Sequence, residues 1–175
     1  MSNAEICLSS AAQDWRTPEN VLERVRRIDV IGLDPCGGEG STVGAISEFR
    51  LPTTDGLVTP WSGMGLVFVN PPYGREISAW VRRAAWHGRE GAEIVMLVPA
   101  RVGTGWWQEN IAGDSKDHGA AAVCFWRGRL KFVPAPGRPA SKADVATFDS
   151  ALVYWGPRPW AFEAAMDGAG WTVRS

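Results

Sequence analysis

The chain has 175 residues, of which 45% are hydrophobic and 21% charged, the size and composition of one globular domain. No apolar run approaches the roughly 18 residues of a membrane-spanning helix, and the first ten residues lack the basic start and apolar stretch of a signal peptide. The 18 basic and 19 acidic residues leave a net charge of -1, which argues against a purely electrostatic nucleic-acid binder but still allows one basic face.

The first half of the chain alternates apolar strands with amphipathic helices. A helix is predicted over residues 19–27, and apolar strands over residues 29–33, 65–69 and 92–98. A further helix is predicted after the second of these strands, because apolar residues recur from Ile77 at helical spacing.

The second half continues this pattern with shorter elements. We predict strands at residues 120–125, 129–132, 151–155 and 171–173, and helices at residues 104–111 and from Pro159. Such alternation is typical of a mostly parallel sheet with helices on both faces. We therefore expect an α/β fold in which a flexible N-terminus (residues 1–13) precedes a single domain (residues 14–175).

The three cysteines exclude two common kinds of small scaffold. Cys7, Cys36 and Cys124 are odd in number and widely spaced, with no C-x-x-C pair. This disfavours a disulfide framework and a zinc site, so we expect no metal and a reducing cytoplasmic environment.

The loop after the first predicted strand is rich in glycine. It reads Asp34-Pro35-Cys36-Gly37-Gly38 and lacks both the lysine of the phosphate-cradling pattern and the third glycine of the dinucleotide pattern. A phosphate site is therefore disfavoured. The Asp34 carboxylate at a strand end still suits a cation or ribose hydroxyl groups, and Cys36 is expected to line this loop as a small apolar group.

The loop after the second strand carries the strongest chemical signal. Asn70-Pro71-Pro72-Tyr73 combines an amide oxygen, a backbone carbonyl held in a set direction by the prolines, and an aromatic ring. Two acceptors beside a stacking surface fit a planar amine. Holding both amine hydrogens favours a more tetrahedral nitrogen whose lone pair can attack an electrophile.

These residues match the [DNS]-P-P-[YFW] motif of S-adenosylmethionine-dependent amino-methyltransferases, and the chain resembles the phage-type Dam DNA N6-adenine methyltransferases more narrowly. The resemblance spans roughly residues 14–156. It is carried in order by Asp14-Trp15-Arg16-Thr17-Pro18, Leu33-Asp34-Pro35, Asp55-Gly56-Leu57 with Trp61, Val67 to Arg75, Leu97 to Arg101 with Trp106-Trp107, Gly128 to Phe132, and Ser150 to Val153 with Trp155-Gly156.

The resemblance implies a class I S-adenosylmethionine-dependent, Rossmann-like fold and a specific set of site residues. Asn70, Pro71, Pro72 and Tyr73 would hold the target adenine. The cofactor would be bound by Trp15, Thr17, Pro18, Asp34, Pro35, Cys36 and Asp55. The chain departs from the family at residues 36–40, where family members commonly carry small residues and this chain has Cys-Gly-Gly-Glu-Gly.

Basic residues are concentrated in the second part of the chain. Residues 1–70 carry a net charge of -4 and residues 71–175 a net charge of +3. We expect DNA contacts from Arg75, directly after the Asn70 motif, from Arg101, and from Arg129 and Lys131, which would project to one face of a strand.

The sequence thus predicts a DNA adenine methyltransferase that transfers a methyl group from S-adenosylmethionine to N6 of a flipped-out adenine. The resemblance suggests a short duplex site such as GATC and a bacterial or phage origin. We expect a monomer by default. Two alternatives remain open at this point. One is methylation of another amine, in an RNA base or a glutamine amide, and the other is a catalytically inactive DNA-binding module with the same fold.

Overall fold

The structure is a computed structural model that describes residues 15–113 and 119–175, so the predicted flexible N-terminus and Cys7 lie outside the described residues. The strands are β1 (Ile31–Asp34), β2 (Ser47–Glu48), β3 (Leu66–Val69), β4 (Glu93–Pro99), β5 (Ala122–Trp126), β6 (Ser150–Trp155) and β7 (Gly170–Arg174). The helices are α1 (Glu19–Val25), α2 (Ile77–Arg89), α3 (Gly105–Trp107) and α4 (Pro159–Met166).

The seven strands form one mixed sheet in the order β2-β1-β3-β4-β6-β5-β7. The pairings of β1 with β2, β1 with β3 and β3 with β4 are parallel, whereas those of β4 with β6, β5 with β6 and β5 with β7 are antiparallel. The expected parallel arrangement therefore describes one half of the sheet, and the other half is antiparallel.

The antiparallel half follows from the connection between β5 and β6. A parallel pair of neighbouring strands needs a long crossover, usually through a helix that packs on the sheet. Between β5 and β6 the chain forms only one short 3-10 turn, Lys142–Asp144. The chain therefore returns beside β5 in the opposite direction.

Helices cover both faces of the sheet. Successive side chains of a strand point to opposite faces, and in β6 the Tyr154 ring stacks on Phe162 of α4 at 5.2 Å. The next residue, Trp155, packs against Gly88 of α2. Helices α2 and α4 therefore lie on opposite faces, and α1 lies with α4 because Arg24 donates to the Ala165 carbonyl at 3.0 Å.

Three local predictions need correction. Residues 129–132 do not form a strand, because Lys131 makes only an isolated bridge to Val145. The helix predicted at residues 104–111 is α3 followed by a π-helical turn, Gln108–Gly113. Thr104, which we expect to cap this helix, makes no capping bond, because its hydroxyl donates to the Arg101 carbonyl. Strand β2 was not predicted, because two residues carry no readable periodicity.

The topology brings the functional loops to one edge of the sheet. Strands β1, β2, β3 and β4 run in the same direction, and β5 does too because it is antiparallel to β6, which is antiparallel to β4. Their carboxyl ends therefore share one edge, which we call the carboxyl edge.

In the described part of the chain, no helix is both long and apolar enough to cross a membrane.

Candidate active site

A cleft of about 230 Å³ opens at the carboxyl edge between β1 and β3. The chain leaves β1 toward β2 and returns on the other side of β1 as β3, which makes a crevice where open α/β sheets bind ligands. The cleft is lined by three regions besides the Asn70 loop: residues 15–17, the loop after β1, and residues 135–136.

Asn70 lies at the centre of a hydrogen-bond network in the cleft. Its Nδ2 donates to the Trp15 carbonyl at 3.2 Å and to the Thr17 hydroxyl at 3.1 Å. Its Oδ1 accepts a hydrogen bond from the Tyr73 hydroxyl at 2.7 Å. Both amide hydrogens are therefore engaged on one side, and the amide oxygen is presented on the other.

The Tyr73 ring is buried, which the expectation of an open stacking face did not foresee. Only 4% of the residue is exposed, although it contributes to the cleft lining. Phe132 and Phe148 pack edge-on against the ring at 6.2 and 5.5 Å, and Trp15 stacks on Phe132 at 4.8 Å. In this conformation Tyr73 packs within the aromatic cluster and exposes little of its ring to the cleft. Burial also raises the pKa of the Tyr73 hydroxyl well above its usual value, so it remains a donor.

Asp34 supplies a buried carboxyl group at the end of β1. It accepts hydrogen bonds from the Cys36 backbone N–H at 3.1 Å and from the Ser41 hydroxyl at 3.3 Å, which shape the loop. Burial raises the pKa of Asp34 to about 6, and the nearby Glu48 carboxylate acts in the same direction. Among residues 15–113 and 119–175, no Lys, Arg or His nitrogen forms an ion pair with it.

Cys36 and the prolines form the apolar part of the lining. Burial raises the pKa of the Cys36 thiol well above its usual value. A neutral thiol fits the predicted role as a small apolar group. Pro71 and Pro72 also line the cleft, whereas Pro18 precedes α1 and Pro35 is buried behind the loop.

Asp55, which we expect to contact the cofactor, does not belong to the lining of this cleft. Its carboxylate accepts from the Leu57 backbone N–H at 2.8 Å, and its carbonyl accepts from Thr59. The adjacent Trp61 is fully buried and donates to the Gly56 carbonyl at 2.9 Å. In this conformation the Asp55 segment forms a turn packed behind Pro35.

The four predicted DNA-contacting residues lie on the carboxyl edge and are exposed. Arg75 follows β3, Arg101 follows β4, and Arg129 and Lys131 follow β5. Arg129 already pairs with Asp149 at 3.3 Å, which reduces its availability for a phosphate. Arg129 and Lys131 were expected on one face of a strand, but the structure places both on an irregular segment.

Some cleft residues were not found from the sequence. Arg16 and Pro136 both line the cleft, and both lie close to Gly40 of the loop after β1. Thr42 binds the backbone carbonyl of Thr17 at 2.8 Å. Only the basic, proline-rich composition of residues 134–142 signalled this region, and it did not indicate where the segment packs.

In the described ranges, no group of three or more His, Cys, Asp or Glu side chains is close enough together to hold a metal ion. The protein has an α/β fold with a cleft at the carboxyl ends of its parallel strands, which is where proteins of this architecture bind their ligands. No curated protein and no solved structure matches the chain.

The family is nevertheless clear. The model of the family described as DNA N-6-adenine-methyltransferase (Dam) matches residues 7–163, which is most of the chain. The protein therefore belongs to the Dam family of DNA adenine N6-methyltransferases, and the resemblance drawn from its motifs is confirmed. DNA is the substrate that this family acts on, and its members in general depend on S-adenosylmethionine.

Proposed function

We propose that this protein transfers a methyl group from S-adenosylmethionine to N6 of an adenine that has been rotated out of a short site in duplex DNA. The observation that carries the proposal is the orientation of Asn70. Its amide oxygen is presented as an acceptor within the cleft, beside Tyr73, in a chain of the Dam family.

The cleft fits a cationic cofactor. A buried carboxyl group without a positively charged partner is costly to ionise, and Asp34 is in this position within the described residues. An ammonium or sulfonium group supplies the missing positive charge. We infer that Asp34 and the loop after β1 hold S-adenosylmethionine, with Trp15, Thr17 and Cys36 around it.

When bound, S-adenosylmethionine supplies a methyl group that is attached to a positively charged sulfur. That sulfur becomes a neutral thioether when its bond to the methyl group breaks. The adenine amine is a weak nucleophile, because its lone pair is delocalised into the ring. Asn70 Oδ1 and the Pro71 carbonyl accept hydrogen bonds from the two N–H groups of the amine and favour a tetrahedral nitrogen. N6 then gains the methyl group and releases one proton to solvent. The protein thus contributes orientation and charge stabilisation.

The base has to leave the helix before it can reach Asn70, at a cost of a few kcal/mol. We infer that the exposed cations of the carboxyl edge hold the phosphates on either side of the flipped nucleotide. We infer that the loops at residues 99–107 and 127–142, which follow strands β4 and β5 at the carboxyl edge, read the DNA sequence.

The direct test is methyl transfer from tritiated S-adenosylmethionine to adenine-containing duplex DNA, with RNA and protein acceptors in parallel. We expect label on adenine N6 and on no other acceptor. Cofactor binding without label on any DNA would overturn the proposal, and label on RNA or protein alone would establish the alternative amine methyltransferase.

Asn70→Ala is expected to reduce turnover to background while calorimetry still detects cofactor binding, because only the acceptor for the amine is lost. The matched control is Asn20→Ala on the exposed surface of α1, which should retain turnover. Methylation-sensitive sequencing of DNA from cells that express the protein would then define the site, expected to be short and GATC-like.

A further inference from the structure

Residues 15–17 cross the cleft as an extended segment, which we call the N-terminal strap. Arg16 pairs with Val133 through two backbone hydrogen bonds of 3.2 and 2.9 Å. The Thr17 carbonyl accepts from the Thr42 hydroxyl at 2.8 Å, and Thr17 is only 1% exposed. The strap is therefore anchored on both sides by contacts that do not involve Asn70.

The two ends of an asparagine amide have nearly the same shape, so its orientation is decided by hydrogen-bond partners. The Trp15 carbonyl oxygen is only an acceptor, so of the two ends of the Asn70 amide only the NH2 group can bind it favourably. The Thr17 hydroxyl accepts the second amide hydrogen. The reversed amide would instead place two oxygens against each other at Trp15.

We propose that the N-terminal strap orients the Asn70 amide so that its oxygen faces the target amine, with Thr17 as a positioning residue for methyl transfer. This inference rests on the proposed function, because it names what prepares the acceptor of that same site. Thr17 then has a role distinct from covering the cofactor. Its hydroxyl binds the Asn70 NH2 group and keeps it away from the target amine, whose hydrogens it would repel.

The strap also makes asparagine the required residue at position 70. Aspartate has no N–H to donate, so an ionised carboxylate would lie against the Trp15 carbonyl and be repelled by it. Protonation would restore one donor. The titratable groups around this position are Tyr73 and Cys36, both kept neutral by burial, and Asp34, which bonds Cys36.

The first experiment compares Thr17→Val with Thr17→Ser at saturating cofactor. Valine keeps the shape of threonine but removes the acceptor, and because the cofactor is saturating we expect about a fivefold lower kcat, the effect of one hydrogen bond. Serine retains the hydroxyl and should restore kcat. Thr172→Val on β7, far from the cleft, is the matched control.

The second experiment measures the pH profile of Asn70→Asp relative to the native protein. The kcat of Asn70→Asp divided by that of the native protein should be low at neutral pH. This ratio should rise as the pH falls, because the introduced carboxyl group becomes protonated. Taking the ratio removes the titration of Asp34, which is common to both proteins. A ratio that does not change with pH would contradict the inference.

The third experiment needs no activity. In the NMR spectrum of the cofactor-free protein, the two side-chain amide protons of Asn70, assigned by their loss in Asn70→Ala, should exchange slowly with solvent. Thr17→Val should accelerate exchange of one of them, and Thr17→Ser should not. Unchanged exchange in Thr17→Val would overturn the inference even if the protein methylates DNA. A failure to methylate any DNA would overturn the proposed function and leave this measurement valid.

Discussion

At the scale of single residues, Asp34 links the chemistry of the cleft to pH. Burial stabilises the neutral form of its carboxyl group and raises the pKa from 3.8 to about 6. Between these values the folded protein holds a proton that the unfolded chain has released. The contribution of Asp34 to stability therefore grows as the pH falls through about 6 and is lost as the pH rises.

Cofactor binding should show the opposite dependence. A cationic ligand binds the ionised carboxylate, so affinity for S-adenosylmethionine is expected to fall about tenfold for each pH unit below 6. Calorimetric titration between pH 5 and 8 would measure this. In Asp34→Asn the affinity should be weaker and independent of pH over this range. A native affinity that is flat below pH 6 would show that Asp34 does not bind the cation.

At the scale of elements, the site depends on how closely β1 approaches β3. The register of this pair shifts between Ile31 and Leu33, and Gly32 lies at the irregularity. A Cβ atom at Gly32 would overlap the carbonyl oxygen of Met64, just before β3. Glycine therefore sets the distance between the two strands whose ends hold Asp34 and Asn70.

Gly32→Ala is expected to lower the free energy of unfolding by about 3 kcal/mol, the upper end of overpacking costs in well-packed interiors. Urea unfolding would measure the change. Gly38→Ala is the control, since a Cβ atom there would meet nothing within 4 Å. Equal stability of the two variants would show that β1 and β3 separate without cost.

The elements also show which part of the fold is readable from sequence. Apolar runs and helical stripes predict β1, β3, β4, β6, α1, α2 and α4, because burial imposes those periodicities. Strand direction does not change the apolar pattern of a buried strand. The antiparallel half of the sheet follows instead from the absence of a crossover helix between β5 and β6. Residues 129–132 resemble a strand, but they pair with the neighbouring segment only through the isolated bridge between Lys131 and Val145 and do not join the sheet.

In the candidate site, residues that belong to local motifs are predictable from the sequence, whereas contacts between distant segments are not. Asn70 and Asp34 are predictable because each follows an apolar strand, and strand ends converge. The burial of Tyr73 by Phe132 and Phe148, the position of Asp55 behind Pro35 and the strap across Asn70 depend on segments distant in sequence. No single-chain pattern indicates those contacts.

At the scale of the whole molecule, charge is distributed between the two edges of the sheet. Arg101 lies on the carboxyl edge beside the cleft, whereas Arg27 precedes β1 and therefore lies at the opposite edge. Both residues are exposed. The two arginines therefore carry the same charge at opposite edges of the sheet, which makes them a matched pair for testing where DNA binds.

Arg101→Ala is expected to weaken DNA binding and to reduce the slope of log affinity against log salt by about 0.9, the effect of one phosphate contact. Fluorescence anisotropy with duplex DNA at several salt concentrations would measure the slope. Arg27→Ala removes the same charge from the other edge and should leave the slope unchanged. Equal slopes for both variants would place the DNA elsewhere.

The strap has a consequence for the order in which the protein acquires activity. Asn70 lies 55 positions beyond Trp15 along the chain, and Val133, which holds Arg16, is synthesised later still. Contacts of such long sequence separation form after local ones, because loop closure costs entropy. We expect the β1 and β3 loops to form first and the strap to close last. In pulse-labelled hydrogen exchange during refolding, the Val133 N–H should gain protection after the amides of β3 and β4, so that a folded sheet precedes a competent enzyme.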